Sequence, residues 1–116
     1  MSEAALQRDV IRYLGSALCQ PAAFFAVPNN PRNAIAGRNL KALGLRKGAP
    51  DLMVFAQNIT IGIELKAANG RVSEDQDAMH ELLNKCGVFT AVCRSVNEVE
   101  TALMDAGLKL KGRIGA

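Results

Sequence analysis

Tryptophan is absent, tyrosine occurs once and phenylalanine four times in 116 residues. That scarcity argues against an aromatic platform on which single-stranded nucleic acid could stack its bases. Cysteine is also sparse. Cys19, Cys86 and Cys93 are odd in number, widely spaced and without a C-x-x-C pair, which speaks against a zinc site or a redox couple and reads as reduced thiols in a reducing compartment. His80 is the only histidine; with no second imidazole it reads as a helix-surface or half-buried structural residue. No apolar run reaches the roughly 18–20 residues that span a bilayer, and the first residues lack the basic, apolar and small-residue order of a secretory signal. The expectation is a cytoplasmic protein with no membrane partner. Four prolines and 49% hydrophobic residues exclude the disordered class, and the length suits one domain, 1–116, around one core.

Acidic side chains are missing altogether between residues 10 and 50, where Arg12, Arg32, Arg38, Lys41, Arg46 and Lys47 give the stretch +6. Residues 51–105 sum to −5, and the tail adds Lys109, Lys111 and Arg113. Such segregation suits a polyanion approaching one side of the molecule, with nucleic acid the leading candidate. The plainer alternative is ordinary solubilising charge.

Apolar spacing predicts a first helix over 3–18, with Leu6, Val10, Leu14, Ala17 and Leu18 on one stripe. Gln20-Pro21 closes it. Phe24 to Val27 reads as a short buried strand. Pro28 to Lys47, rich in proline, glycine and asparagine, reads as a long basic loop with room for a helical turn near Asn39 to Leu43. Strands follow at Asp51 to Ala56 and Ile59 to Lys66; the second alternates strictly, as a half-buried strand does. Ser73-x-x-Gln76 is a capping box opening a helix to about Cys86, with Met79, Leu82, Leu83 and Cys86 inward. Val88 to Cys93 reads as a strand, and Ser95-x-x-Glu98 caps a last helix to about Ala106. The order α-β-β-β-α-β-α gives an α/β fold, a mixed sheet flanked by helices.

A two-residue turn at Gln57-Asn58 pairs Ala56 with Ile59, Val54 with Ile61 and Leu52 with Ile63, which sets Asp51 opposite Glu64. Directly opposed like charges, roughly 4.5–5.5 Å apart at Cβ, are destabilising. A fold tolerates them when a cation lies between, when one acid keeps its proton, or when solvent screens both. Lys66 shares the face of Glu64. Two carboxylates with room for water and phosphate suit a hard divalent ion, Mg²⁺ or Mn²⁺. Glu3 falls on the apolar stripe of the first helix; it either points to the same site or is an exposed acid favoured by the helix dipole. Met53 and Phe55 read as packing residues.

Gly48-Ala49-Pro50-Asp51, twelve residues and then Glu64-Leu65-Lys66 resemble the motif of the PD-(D/E)XK nucleases. The helix residues Glu3 and Gln7, the Gly-x-Pro-Asp entry and Ser73-x-x-Gln76 narrow the resemblance to the virus-type replication-repair nuclease (VRR-NUC) domain in standalone form, a restriction-endonuclease-like fold, over roughly residues 3–93. The resemblance implies that Asp51 and Glu64 bind the metal with the Leu65 backbone carbonyl, and that Glu3 contacts it directly or through water. It implies that Lys66 orients or activates the attacking water and that Gln76 supports the site; Gln76 is equally well only the third residue of its cap. Arg32, Arg38, Lys41, Arg46 and Lys47, with Lys109 to Arg113 beside them, are assigned to contact with the DNA backbone. The activity implied is Mg²⁺- or Mn²⁺-dependent endonucleolytic hydrolysis of DNA, selective for branched substrates such as four-way junctions, by a homodimer in a bacterial or phage-infected cell. Two alternatives stay open, a non-catalytic nucleic-acid-binding module of the same fold and a small α/β interaction protein.

Overall fold

The computed structural model describes residues 1–28 and 41–115. Helix α1 (Glu3–Ala17) opens where the Ser2 hydroxyl accepts the Ala5 N–H at 3.1 Å, satisfying a donor that the first turn cannot. Its Leu6, Val10, Leu14 and Ala17 are buried, as the 3.6-residue period requires. Strands β1 (Ala22–Ala26), β2 (Leu52–Ala56), β3 (Ile59–Leu65) and β4 (Phe89–Cys93) lie in that order in one sheet. The pairs β1–β2 and β2–β3 are antiparallel, while β3–β4 is parallel. A parallel pair needs a crossover, and α2 (Glu74–Lys85) provides it before α3 (Val96–Asp105) ends the series. The fold is the expected mixed sheet flanked by helices, in the expected element order.

The β2–β3 hairpin has the register read from the sequence, Leu52 with Ile63, Val54 with Ile61 and Ala56 with Ile59. Gln57 and Asn58 both adopt left-handed backbone, φ +54° and +62°, the conformation whose twist matches the flanking strands. One face of the hairpin packs Leu52, Val54, Ile61 and Ile63 against α1 and α3, where Val10, Leu14, Val99 and Leu103 are fully buried. Each such side chain contributes roughly 1.5–3 kcal/mol by leaving water. On the other face of β3, Gly62 is covered by Pro50 and Met53, and Glu64 by Gln76 of α2. Gly62 and Glu64 are therefore buried too, and β3 is enclosed on both sides rather than half-buried.

Three expectations need correction. The first strand is not buried: β1 starts at Ala22, forms the sheet edge, and exposes Ala23, Phe25 and Ala26, because α2 does not reach that far. On the same uncovered face Phe55 is exposed and stacks on Phe25, ring centroids 5.6 Å apart, so it is not core packing. In α2, Met79 is buried and Leu83 half-buried, but Leu82 and Cys86 are exposed. The inward face of that helix runs through Gln76, Met79, His80 and Leu83, a stripe fixed by Gln76, and Leu82 lies about 100° away from it.

The basic tail is tied down away from the acids. Lys111 N–H donates to Ala17 O at 2.9 Å, and Leu18 bridges Leu110. Gln57 exchanges two hydrogen bonds with the Lys109 backbone, at 2.9 and 3.0 Å. Lys109 thus sits at the turn end of the hairpin, about 17 Å along the strands from Glu64. Glu100, although buried, accepts the Ile114 N–H at 2.7 Å. All three cysteines are free, and no helix among the described residues is long and apolar enough to cross a membrane.

Candidate active site

Asp51 stands one residue before β2, and Glu64 is the last but one residue of β3. The ladder that pairs Leu52 with Ile63 carries both acids to the same end and the same face of the hairpin. The Asp51 carboxylate is fixed there: its Oδ2 accepts the Leu65 N–H at 2.7 Å. Glu64 is 2% exposed. Its Oε2 accepts from Gln76 Nε2 at 3.0 Å and lies 3.8 Å from Lys66 Nζ. Its Oε1 is buried and has no hydrogen-bond partner. Burial pushes the Glu64 carboxyl up to about 8; the neighbouring Asp51 carboxylate adds to the rise, Lys66 opposes it, and Glu3 adds a smaller push.

Gln76 makes both the cap contact and a contact with Glu64 through one side chain. Its Oε1 accepts the Ser73 N–H at 2.9 Å while the Ser73 hydroxyl accepts the Gln76 N–H at 3.2 Å, a complete capping box. Its Nε2 is left to hold Glu64. The cap therefore fixes the amide that faces the acid. Gly48 seats the loop before Asp51 against the same helix end: its φ of +87° suits glycine, and a side chain there would run into the Asp75 carbonyl.

Glu3 opens α1, exposed, and acts on Glu64 through its charge. It does not complete a side-chain ligand set, since no three Asp, Glu, His or Cys residues gather around one point among the described residues. His80 lies one turn beyond Gln76, half-buried, its Nε2 without a partner. Burial holds it below the ordinary histidine range against the opposing charges of Asp77 and Asp51. Of the basic residues, Arg32 and Arg38 lie outside the described residues. Lys41, Arg46 and Lys47 are exposed, and Lys47 pairs with Asp75 at 3.2 Å beside the α2 N-terminus.

The acidic pair, with an orphaned buried oxygen, two oxygen donors and no nitrogen or sulfur, fits a hard divalent cation. Glu64 is buried and Asp51 half-buried beside it, with the Lys66 ammonium 3.8 Å from Glu64. A mixed sheet that brings a paired acid and a lysine to one strand end is the frame of a nuclease-type domain. The model of the VRR-NUC domain family matches residues 5–97, and the chain belongs to that family. A solved "VRR_NUC domain protein" superposes with a TM-score of 0.71 at 19% identity, covering 94% of this chain and 91% of its own. A solved "VRR_NUC domain" gives a TM-score of 0.61, also at 19% identity, covering 90% and 97%. No curated protein matches the sequence.

One contact near the site had no signal in the sequence. Arg94, just after β4, reaches the turn that follows Lys66; no motif marks it, and its contacts exist only once β3 and β4 are paired.

Proposed function

We propose that this protein is a divalent-metal-dependent DNA endonuclease that hydrolyses phosphodiester bonds. The observation that carries the reading is the buried Glu64 carboxyl, held by Gln76 and Lys66 beside Asp51, with one oxygen left free. In this reading Asp51, Glu64 and the Leu65 carbonyl would hold Mg²⁺ or Mn²⁺, with Glu3 reaching it directly or through water. The bound ion would polarise the phosphate and lower the pKa of the attacking water.

The protein's own groups do the rest. Glu64, once deprotonated, would be the acid that holds the ion, and Gln76 keeps its Oε2 oriented while Oε1 stays without a partner. Lys66 orients the attacking water and offsets the negative charge that builds on the phosphate oxygens in the transition state. Water forms the new P–O bond, the old P–O bond breaks, and the proton ends on the leaving oxygen. Lys41, Arg46 and Lys47, together with Arg32 and Arg38, hold the DNA backbone electrostatically.

The substrate proposed is branched DNA, such as a four-way junction, cut by a two-fold dimer. A domain of 116 residues is too small to embrace a junction alone, and two copies supply two sites for two strands. The exposed Phe25–Phe55 stack on the uncovered sheet face supports contact between copies.

Junction, flap and linear duplex DNA incubated with the protein in Mg²⁺ or Mn²⁺ test this reading. Cleavage abolished by EDTA and reduced at least about 100-fold in Lys66→Ala is expected. A folded wild type that binds DNA in a salt-dependent manner and cuts none of the substrates would make it a binding module instead. For the dimer, light scattering should show a mass shift toward the monomer in Phe25→Ser; an unchanged mass would remove that face as the contact.

A further inference from the structure

We propose that Arg94 is the positioning residue for Lys66, holding the wall against which the lysine side chain lies. The inference rests on the role given to Lys66 above. Strand β4 ends at Cys93, whose carbonyl accepts the Lys66 N–H at 3.1 Å. The chain then turns, and the next side chain doubles back. Arg94 Nη1 lies 2.7 Å from the Ala67 carbonyl, 2.7 Å from the Gly70 carbonyl and 3.4 Å from that of Ala68. The Gly70 N–H donates to Ala67 O at 2.9 Å and closes the turn. One guanidinium nitrogen thus gathers three carbonyls of the segment that directly follows Lys66.

That turn touches the lysine. A Cβ placed on Gly70 would lie 3.4 Å from Lys66 Cδ, so the turn flanks the aliphatic stem whose ammonium reaches Glu64 at 3.8 Å. A lysine stem has four flexible bonds and would not stay in one place without walls. Arg94 is itself held at its root. Its backbone N–H donates to Glu98 Oε1 at 3.2 Å, and the Glu98 N–H donates to the Ser95 hydroxyl at 3.1 Å. The cap of α3 therefore fixes Arg94, Arg94 fixes the turn, and the turn confines Lys66. Arg94 is exposed, yet its Nη1 donors go to one turn of backbone. Lysine at position 94 also carries three donors on one nitrogen, but its stem is shorter than the reach of arginine to Nη1, so it would meet only part of the turn.

The test uses the full chain with Arg94→Ala and Arg94→Lys, each checked for native fold by circular dichroism. Lys66 is read by mass spectrometry after brief amine-reactive labelling, with Lys85 and Lys47 as internal references. Lys66 labelling should rise about 5-fold or more in Arg94→Ala and less in Arg94→Lys, while the references stay constant. In DNA cleavage, kcat should fall about 10- to 100-fold with KM within about 2-fold, because an ammonium displaced by about 1 Å loses that much; Arg94→Lys should recover part of it. Unchanged Lys66 labelling in a folded Arg94→Ala protein would overturn the proposal, as would kcat and KM changing together. Should the wild type cut no DNA, the functional reading falls, yet the labelling still decides whether Arg94 holds Lys66.

Discussion

Consider Glu64→Gln in a buffer free of divalent ions. The Glu64 carboxyl is pushed from the ordinary 4.5 to about 8 in the folded protein. Between those values the folded state keeps a proton that the unfolded chain releases, so the group's stabilising contribution is fully present below pH about 4.5 and is lost as pH rises through about 8. Each pH unit inside that window costs up to about 1.4 kcal/mol. Across the window the loss comes to about 2–5 kcal/mol, the lower figure applying where Lys66 and penetrating water take up part of the charge. Glutamine keeps the size and the neutral state, and it cannot titrate. Urea denaturation in EDTA at pH 5, 6, 7 and 8 should therefore give two curves that agree within about 1 kcal/mol at pH 5 and separate to about 2–5 kcal/mol at pH 8, the variant being the more stable. That is a difference of several degrees in Tm for a chain of this size. Parallel curves, or a less stable variant at pH 8, would refute the argument that burial and Asp51 keep this acid protonated.

Three further outcomes follow from particular contacts. Gln76→Leu removes both the cap acceptor and the donor to Glu64, so it should cost about 1 kcal/mol in urea denaturation and far more in cleavage rate, an imbalance that a purely capping role would not produce. Gly48→Ala forces a methyl group onto the Asp75 carbonyl at left-handed φ; a loss of about 2–4 kcal/mol by the same assay is expected. Thermal scans of the wild type with and without Mn²⁺ should show a larger stabilisation at pH 8 than at pH 6, since at the lower pH the cation must first displace the Glu64 proton.

The parts of the fold that sequence patterning made legible are those governed by local rules. Alternation along 59–65 and a turn needing two left-handed residues together fix one register, because a slip of one would turn Ile61 and Ile63 away from α1 and α3 and point Thr60 and Gly62 there instead. Ser73 and Ser95 mark helix starts through contacts three residues away. What stayed hidden depends on neighbours distant in the chain. The exposure of β1 follows from how far α2 extends across the sheet, and the inward face of α2 follows from the bond between Gln76 and Glu64. The tail's position comes from Gln57 and Ala17, and the hold of Arg94 on the Ala67–Gly70 turn comes from parallel pairing of β3 with β4. For the site, the sequence placed Asp51, Glu64 and Lys66 at one end of a hairpin; it carried no information on which oxygen of Glu64 would be left free.

Crystals of the protein soaked in millimolar Mn²⁺ and measured at the manganese absorption edge would show whether Asp51 and Glu64 hold a divalent ion. One anomalous peak or a close pair is expected between the carboxylates of Asp51 and Glu64, within about 2.0–2.3 Å of their oxygens, with Lys66 Nζ beside it. No peak there, or manganese bound only elsewhere on the surface, would contradict metal binding by the pair.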